Sequence, residues 1–380
     1  MTLELGSLGF DRGAHLLLDR ALRRSAVVQV EGSAAELDLH LSVWCRTRGH
    51  RLEGRTVHRG AVDRWVGSEV AGELAQPAGH PPARWGLAPR GARVEAGDLG
   101  FHFQFTDRNE VWTDEAARLY QAAAAAQWNP ETAIDWDAPM DHPEEVEDAV
   151  VQVMTYLIEN EMAALQVPAR FLARIHPHFR EVLQVLAIQV ADEARHIEVF
   201  TRRASLRRSA LGLSTQGGQA SLKTLLDEPD FALSAFLLSV LGEGSFLELL
   251  WFLQEHGPDP VTRQVARLAA QDEARHVAFG MAHLSAHARS DPSLLGRLAS
   301  AVQQRHAALQ HTAGLNQEVF DALVLLSAGG WSPEQIETGW ARVAVLKQRM
   351  DRGRRIRLAR LGFADEDAAT LSALHTRNFM

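Results

Sequence analysis

The sequence is poor in cysteine and in basic residues, and each shortage excludes a class of protein. One cysteine in 380 residues cannot form an internal disulfide framework, so a reducing cytoplasm is predicted. Acidic residues outnumber basic ones by 48 to 39, which gives a formal net charge of −9 at pH 7. This charge argues against a general affinity for nucleic acid.

The sequence also lacks segments that would direct it to a membrane. Residues 1–5 show no basic segment followed by an apolar run, so no signal peptide is predicted. The stretch nearest to membrane-spanning length, residues 231–252, is interrupted by Glu243 and Glu248, and no spanning segment is predicted. With 46% hydrophobic and 23% charged residues, the composition is that of a globular protein with a large core.

A five-residue sequence occurs twice, as Asp192-Glu193-Ala194-Arg195-His196 and as Asp272-Glu273-Ala274-Arg275-His276. In each copy a Glu and a His stand three residues apart, so on an α-helix both lie on one face, about 5–6 Å apart at Cβ. One metal ion could take both as ligands. Two such helices, with one further Glu from each of two partner helices, form the ligand set of dinuclear carboxylate sites in four-helix bundles.

The glutamate that faces the first copy can be placed by the geometry of an antiparallel helix pair, in which facing residues are equally far from the turn. Upstream of Glu193, Glu161 lies in the apolar stripe of residues 150–167, whereas Glu159 points off that stripe. The midpoint between Glu161 and Glu193 is Pro177. Proline ends helices, so a turn is predicted there.

The same geometry applies to the second copy. Upstream of Glu273, Glu243 lies in an apolar stripe and Glu248 falls on another face. The midpoint between Glu243 and Glu273 is Pro258, which again predicts a turn. The predicted metal ligands are therefore Glu161, Glu193, His196, Glu243, Glu273 and His276.

A single Glu or His in an amphipathic helix is usually a surface residue or a satisfied polar group of the core, and Glu-x-x-His occurs by chance in many helices. Four carboxylates and two imidazoles converging on one core would be very costly to bury without a metal. A metal site is therefore the preferred interpretation. Mixed carboxylate and imidazole ligands suit iron, with manganese possible in one position.

The doubled Asp-Glu-x-Arg-His resembles the motif of ferritin-like di-iron oxygenases and oxidases, including the bacterial multicomponent hydrocarbon monooxygenases, over roughly residues 112–290. It is also similar to the para-aminobenzoate N-oxygenase group. The resemblance implies two iron ions that activate O₂ to hydroxylate or N-oxygenate a small organic substrate. It further implies an external electron donor, such as a reductase or ferredoxin, and a homo-oligomer.

In that family the aspartate of each motif orients the histidine of the other, and the arginine pairs with the buried acid. The pairs implied here are Asp192 with His276 and Asp272 with His196, with Arg195 and Arg275 as the arginines. Such contacts fix the imidazole tautomer and raise its basicity. The alternative is an ordinary surface ion pair between Asp192 and Arg195, but identical repetition favours the first interpretation. The resemblance also implies that Glu243 shifts on reduction.

The sequence departs from two relatives of this family. Phe200 and Gly280 stand four residues after the histidines, where the radical subunit of ribonucleotide reductase has a tyrosine after its first ligand histidine. A stable tyrosyl radical is therefore not expected. Ala269 stands where the N-oxygenases carry an extra histidine ligand, so their specific chemistry does not follow from the resemblance.

Three other functions compete with an oxygenase. A non-catalytic iron-binding or iron-storage bundle is the first, although extra domains and the length of 380 residues argue against a storage shell. A peroxide scavenger of rubrerythrin type is the second, but its four-cysteine iron site cannot be built from one cysteine. A scaffold that has lost its metal is the third, and the intact ligand set argues against it.

Residues 1–68 alternate short strands and helices in the order βαβαββ, which predicts a small two-layer α/β domain. Its last two strands are predicted around residues 51–57 and 61–66, with His58-Arg59-Gly60 as the turn between them.

This domain resembles the TusA-type sulfur carriers, best at residues 28–32 and around Trp44. In that family a reactive cysteine and two prolines follow the first strand, but Arg12, Gly13 and His15 occupy those positions here. Cys45 lies in the second predicted helix instead. A persulfide carrier needs an accessible thiolate, so a docking or oligomerisation module that carries no sulfur is predicted.

The rest of the chain predicts a mostly α protein. Residues 69–111 are predicted to be a linker or surface wrap, 112–292 a ferritin-like bundle and 293–380 a helical cap, with a helix break near 312–315. The first bundle helix begins near Pro143, and Pro168 is predicted to kink it or end it early. The other bundle helices are predicted at about 178–207, 231–255 and 261–288, with a crossover over 209–229.

Two features of the predicted cap stand out. Ser332-Pro333-Glu334-Gln335 has the form of a capping box that starts a helix. Seven basic residues lie between Lys347 and Arg360. A solvated helix face is the usual explanation for such a run, and a dock for an acidic electron-transfer partner is the functional alternative.

Overall fold

The computed structural model describes residues 1–60, 68–309 and 317–376, and the side chains up to residue 375. The chain forms two compact units. The first consists of Met1–Glu73 with Arg90–Asp98, and the second of Leu74–Pro89 with Leu99–Met380.

The first unit is built on a four-stranded sheet in the order β1-β2-β4-β3, in which β1 and β2 run parallel and the other pairs antiparallel. Its helices and strands are β1 Thr2–Glu4, α1 Ala14–Arg24, β2 Val27–Glu31, α2 Leu37–Thr47, β3 Arg51–Glu53 and β4 Thr56–His58, and a separate two-stranded antiparallel sheet pairs β5 Ser68–Val70 with β6 Arg93–Glu95. The core between sheet and helices includes Leu18, Val28 and Leu41, which are fully buried.

The turn of the β3–β4 hairpin differs from the prediction. It lies at Gly54-Arg55, and His58 belongs to β4 rather than to a turn. Gly54 has φ +59°, a left-handed conformation that glycine adopts without strain. The strand predicted over residues 61–66 lies outside the described residues.

Cys45 lies within α2 and is 1% exposed. Burial raises the pKa of its thiol to about 11, so it is not an accessible thiolate at neutral pH. Arg12, which the resemblance to the sulfur carriers aligns with their reactive cysteine, lies in a short 3₁₀ turn and donates to the Ser7 carbonyl at 2.6 Å.

The second unit is almost entirely helical. Before the bundle it contains α3 Arg108–Val111, α4 Ala116–Ala125 and α5 Pro130–Ala133. The bundle and its crossover are formed by α6 Glu144–Leu172, α7 Arg180–Ser205, α8 Gln216–Asp227, α9 Phe231–Ala235, a π-helical segment Phe236–Glu243, α10 Gly244–His256 and α11 Pro260–Ser290. The remaining helices are α12 Leu294–Leu309, α13 Gln317–Ala328, α14 Pro333–Leu361 and α15 Asp365–Thr376.

Both predicted turns are confirmed. Pro177 lies in a 3₁₀ turn between α6 and α7, and Pro258 lies between α10 and α11. Asp259 then caps α11 by accepting from the Thr262 N–H at 2.8 Å. The predicted capping box at Ser332 is confirmed as the start of α14.

Of the two effects predicted for Pro168, a kink or an early end of α6, the early end is wrong. The helix continues through this proline to Leu172. Pro168 and the residues around it, Val167 and Phe171, are buried in the core. Their packing outweighs the helix hydrogen bond that proline cannot donate. The break predicted near residues 312–315 lies outside the described residues.

The third bundle helix is a rod over Phe231–His256 that contains a π-helical segment, which the sequence did not predict. By length and composition this rod is apolar enough to cross a membrane, so the prediction that no stretch reaches that length is wrong. However, 89% of its most apolar window is buried. The rod is therefore a core helix of the bundle.

The bundle core consists of two apolar clusters with a polar layer between them. On α6 one cluster takes residues from Val146 to Leu157 and the other takes residues from Ala163 to Phe171. Glu161 lies between the two clusters. On α11 the clusters end at Ala270 and resume at Phe279, and the second copy of the repeat occupies the gap. The charged residues of the repeat are thus held in the middle of the bundle.

Candidate metal centre

The structure brings the six predicted ligands together in this polar layer. They form two groups in which one ligand atom per residue lies within 4.8 Å of the others: Glu161, Glu193, His196 and Glu273 in one group, and Glu193, Glu243, Glu273 and His276 in the other. Glu193 and Glu273 belong to both groups. The six side chains are between 0% and 4% exposed. The arrangement is that of two adjacent ion sites sharing two carboxylates.

The two imidazoles are oriented alike. His196 Nδ1 lies 3.2 Å from Glu193 Oε2 and 3.5 Å from Glu273 Oε1, whereas its Nε2 lies 3.1 Å from Asp272 Oδ2. His276 Nδ1 lies 3.1 Å from Glu193 Oε1. Each ring thus directs Nδ1 to the shared carboxylates and Nε2 outward, which is how a neutral imidazole ligates a metal while an acid holds its other nitrogen.

Without a cation, the charges of this layer oppose one another. Burial, together with Glu193 and Glu273, raises the pKa of Glu161 well above its ordinary value. Burial and the same two neighbours raise the pKa of Glu243 in the same direction. The pKa of His196 is also raised, because the attraction of the surrounding carboxylates outweighs the cost of burying a charged ring.

The unpaired atoms of the cluster show that these residues suit a metal. Within the described part of the chain, one carboxylate oxygen of each of the four glutamates and Nδ1 of His276 are buried with no hydrogen-bond partner. The 3.1 Å contact between His276 Nδ1 and Glu193 Oε1 lacks the angles of a hydrogen bond. Buried polar atoms are normally paired, and leaving five of them unpaired in one place would be strongly destabilising. Metal ions bound by these atoms would satisfy all five. Their hard oxygen and imidazole donors match iron or manganese.

The two aspartates of the repeat hold the histidines crosswise, with Asp192 at 3.3 Å from His276 Nε2 and Asp272 at 3.1 Å from His196 Nε2. Burial opposes ionisation of Asp192, but the hydrogen bond with His276 prevails and lowers its pKa. The pKa of Asp272 is lowered in the same way through His196. Both acids are thus held as anions beside the imidazoles.

The arginines of the repeat pair with these acids. Arg195 contacts Asp192 of its own helix and reaches Asp272 of the other motif at 2.9 Å, while Arg275 pairs with Asp272. The i,i+3 pair of Asp192 and Arg195 therefore exists, but it is almost wholly buried and continues across the bundle. An isolated surface ion pair does not describe it.

Three residues that contact this layer were missed by the sequence reasoning. Gln127 donates to Asp192 Oδ1 at 2.8 Å, and the next residue, Trp128, donates from its indole N–H to Asp272 Oδ2 at 2.8 Å. Trp128 thus binds this layer through a hydrogen bond as well as by packing beside it. Gln189 donates to Glu243 Oε1 at 2.9 Å. The signal that could have identified Gln189 is its position, one turn before Glu193 on the buried face of α7.

Glu243 is the last residue of the π-helical segment, and a wider helical turn there sets where its side chain projects. Such segments are frequent at functional sites. The next residue is Gly244, at which a Cβ would lie 2.4 Å from the Arg357 guanidinium. Glycine here lets a guanidinium from α14 pack directly on the backbone beside the ligand.

A narrow cavity of about 20 Å³, room for about one water molecule, adjoins the cluster. Glu161, Glu243 and Glu273 line one side of it, and apolar side chains that include Leu222 and Phe246 line the other. Leu222 belongs to α8, so the crossover covers this cavity. A small molecule in it would contact three of the predicted ligands directly.

Glu159 and Glu248, which the helical periodicity excluded from the ligand set, lie outside the cluster. Glu159 is partly exposed, and Gln219 of α8 donates to it at 3.3 Å. Glu248 is partly buried, and its pKa is raised by that burial. Phe200 is fully buried with its ring centroid 6.2 Å from that of His196, and a Cβ at Gly280 would lie 2.7 Å from Ser239. Neither position therefore offers a phenol that could form a tyrosyl radical.

Asp192→Asn is expected to leave the metal ions bound but to weaken their affinity or the activity roughly 10–100-fold, as changes beyond the ligands typically do. An amide can face His276 Nε2 but carries no charge to support the ring. Metal affinity by competitive chelation, with the activity of the loaded protein, measures this effect. Glu198→Gln, the same change of charge at an exposed position of α7, is the control. Equal affinity together with equal activity in the wild type and Asp192→Asn would contradict the orienting role.

No protein-family model and no curated protein sequence matches the chain. Among solved structures, a mutant of R2-like ligand-binding oxidase with an aerobically reconstituted Mn/Fe cofactor superimposes with a TM-score of 0.50 at 18% identity, over 66% of this chain and 94% of that one. Another mutant, with an aerobically reconstituted Fe/Fe cofactor, gives the same values. The likeness confirms the predicted fold class, a ferritin-like four-helix bundle with extra C-terminal helices that follows a small α/β unit.

Proposed function

We propose that the protein is a dinuclear non-haem iron oxidase that uses O₂ to oxidise a small organic substrate. The observation that carries this proposal is the set of buried, unpaired atoms on Glu161, Glu193, Glu243, Glu273 and His276, which face one another around two metal positions. The similar fold of a protein that holds Mn/Fe or Fe/Fe cofactors supports it. Manganese in one of the two positions fits the same ligands.

The proposed ligands divide into shared and terminal ones. Glu193 and Glu273 would bridge two ions, Glu161 and His196 would complete one position, and Glu243 and His276 the other. A reduced metal pair would supply the electrons that activate O₂. The protein would hold both imidazoles through Asp192 and Asp272. The burial of all six side chains would keep water away from the site.

The narrow cavity beside Glu161 and Glu243 would receive the reacting part of the substrate. Its volume of about 20 Å³ leaves no room for an organic molecule unless α8 or its side chains move. The π-helical segment offers a place for Glu243 to change position, as the resemblance implied.

The electron donor, the oligomeric state, the cellular location and the role of the N-terminal domain are predictions. The resemblance implies an external electron donor and a homo-oligomer, and the single buried cysteine fits a cytoplasmic location. The domain predicted over residues 1–68 is proposed to be a docking or oligomerisation module, because its thiol is buried and the resemblance aligns Arg12 with the reactive cysteine.

We expect about two transition-metal ions per chain after reconstitution with Fe(II). Elemental analysis measures the stoichiometry, and the near-ultraviolet absorption of oxygen-bridged ferric ions reports on the site after exposure to air. Substrate-dependent O₂ consumption separates an oxidase from an iron-binding protein without catalysis. A trace of metal or less after reconstitution would contradict the dinuclear centre, and two ions without turnover on any tested substrate would favour a storage role.

A further inference from the structure

The two halves of the metal centre are related by the five-residue repeat, but they differ one turn before each shared glutamate. Residues 192–196 correspond to residues 272–276, so Gln189 on α7 corresponds to Ala269 on α11. Both positions are buried, with Gln189 2% and Ala269 0% exposed. The same place thus carries an amide in one half and a methyl group in the other. This difference makes the surroundings of the two metal positions unequal.

The amide of Gln189 engages one oxygen of Glu243. Its Nε2 donates to Glu243 Oε1 at 2.9 Å, and both side chains are buried. The other oxygen, Oε2, is buried without a hydrogen-bond partner within the described part of the chain. An oxygen that accepts from an amide N–H is a poorer metal ligand than one whose lone pairs are unused. Glu243 is therefore placed to offer a metal ion one oxygen rather than two.

Glu161, the terminal glutamate of the other metal position, has different neighbours. Among the described residues its Oε1 is buried without a hydrogen-bond partner, and it lies 3.7 Å from His196 Nδ1. The adjacent amide, Asn160, donates instead to the Tyr156 carbonyl at 2.7 Å. Glu161 thus lacks the restraint that Gln189 places on Glu243, and it can bind an ion through both oxygens.

Two narrow cavities, each of about 20 Å³, meet at Leu238 of the π-helical segment. Gln189 and Ser239 line one of them, whereas Glu161 and Glu243 line the other, which adjoins the metal ligands. Leu238 lines both and therefore lies between them. The hydrogen bond from Gln189 holds the carboxylate of Glu243 on the side of the first cavity. It thereby keeps this carboxylate from filling the second cavity, beside the ligands.

We propose that Gln189 is a positioning residue that restrains Glu243 to a single metal-binding oxygen. The position of Glu243 and His276 is then the weaker and more open of the two, and that of Glu161 and His196 the tighter. The cavity beside Glu243 would lead an external ligand to the open position. This inference rests on the proposed dinuclear centre, and it assigns different roles to the two ions within that centre.

Calorimetric titration of the metal-free, full-length protein with Mn(II), without oxygen, tests this inequality. The wild type should bind two ions with affinities that differ roughly ten-fold or more. Gln189→Met keeps the side-chain length but removes the donor, so Glu243 Oε1 becomes unpaired in the metal-free protein and free to bind the ion. The weaker ion should then bind roughly ten-fold more tightly, the effect of one hydrogen bond to a charged group. A packing defect would weaken binding instead.

The visible absorption of the Co(II)-loaded protein measures the coordination independently. Six-coordinate Co(II) absorbs weakly, whereas Co(II) with fewer ligands absorbs more strongly. Loading of the second ion should give the stronger absorption in the wild type and the weaker one in Gln189→Met, where Glu243 binds through both oxygens. Gln184→Met, the same change at an exposed position of α7, should match the wild type in both measurements.

A second variant keeps the proposal testable if Gln189→Met does not fold. Gln189→Asn retains an amide that is one methylene too short to reach Glu243, and it should show the same tighter binding and weaker absorption. Equal affinities for the two ions in the wild type, or no change in the folded variant, would overturn the role of Gln189 and leave the dinuclear centre standing. Weaker binding in the variant would also overturn it, since Gln189 would then support its ligand as Asp192 does. A wild type that binds no metal would overturn the centre and the inference together.

Discussion

Glu161→Ala and Glu243→Ala are each expected to lose metal and with it all reactivity toward O₂. Each change removes a carboxylate that serves one proposed metal position, and the two positions share Glu193 and Glu273. Weaker binding of one ion therefore also weakens the other, because the carboxylates they share are held less firmly. The loss in affinity should exceed the roughly 10–100-fold that changes beyond the ligands produce. Iron content and the oxygen-bridged ferric absorption measure it.

The matched controls are Glu159→Ala and Glu248→Ala, the same substitution on the same helical elements. Glu159 is held by Gln219 of α8, and Glu248 is near Arg357. Both variants should keep about two ions per chain. An empty centre in Glu159→Ala with two ions retained in Glu161→Ala would show that the ligand on α6 is wrongly assigned.

The stability of Glu161→Ala and Glu243→Ala, measured with and without Fe(II), separates the loss of a metal ligand from a packing defect. In metal-free wild type, burial and mutual repulsion raise the pKa values of Glu161 and Glu243, so the unloaded cluster is strained. Removing one carboxylate should leave the metal-free protein no less stable. The stabilisation that Fe(II) gives the wild type should be lost. A variant that is less stable both with and without iron would indicate a packing defect instead.

The sequence predicted the bundle well because helix periodicity and proline positions are local properties. Glu161 and Glu243 could be paired with the repeat because antiparallel helices joined by short turns relate facing residues by simple arithmetic, and Pro177 and Pro258 marked those turns. The exact repeat of five residues made the site assignment more specific than a single Glu-x-x-His would, since chance rarely duplicates all five positions.

What the sequence did not predict depends on tertiary packing. The helix continues through Pro168 because the surrounding core holds it. Residues 236–243 are an apolar run that would suit an α-helix or a π-helix equally well. The sequence therefore did not predict the π-helical segment. Gln127 and Trp128 follow a helix end and reach the aspartates across the fold. The basic run on α14 looks like a solvated face until Arg354 and Arg357 are seen pointing inward.

Arg203 forms a buried network at one end of the bundle, away from the metal ligands, and its replacement should have the largest effect on stability. Arg203 is fully buried, donating to Glu147 at 2.7 and 2.9 Å and to Asp259 at 2.7 Å. Asp259 is also the residue that caps α11. Arg203→Met would remove the guanidinium that both buried carboxylates share, and breaking a buried ion pair in this way typically costs about 3–5 kcal/mol. The His142 imidazole, whose Nε2 lies 2.6 Å from Glu147 Oε2, would remain.

The expected loss depends on pH in a defined direction. Burial opposes ionisation of Glu147 and Asp259, but Arg203 prevails and lowers both pKa values. In the wild type this stabilisation is present above the unfolded-state pKa values of about 4 and is lost as the pH falls through the lower folded values. In Arg203→Met the acids lose the guanidinium and keep only the His142 contact of Glu147 and the Thr262 contacts of Asp259, so their folded pKa values rise and the stabilisation present above about pH 4 is lost. The deficit should therefore be largest near neutral pH and shrink in acid.

Chemical denaturation of the metal-free proteins between pH 3 and pH 7 measures this deficit. Arg202→Met is the control, because Arg202 is the next residue of α7 and forms an exposed ion pair with Glu131 at 2.7 Å. Such pairs contribute about 0–1 kcal/mol, so the control should unfold almost like the wild type. Folded Arg203→Met should still bind two metal ions, since none of the six proposed ligands contacts Arg203. A deficit that is equal for both variants, or independent of pH, would show that Arg203 contributes packing alone and does not hold the two acids as anions.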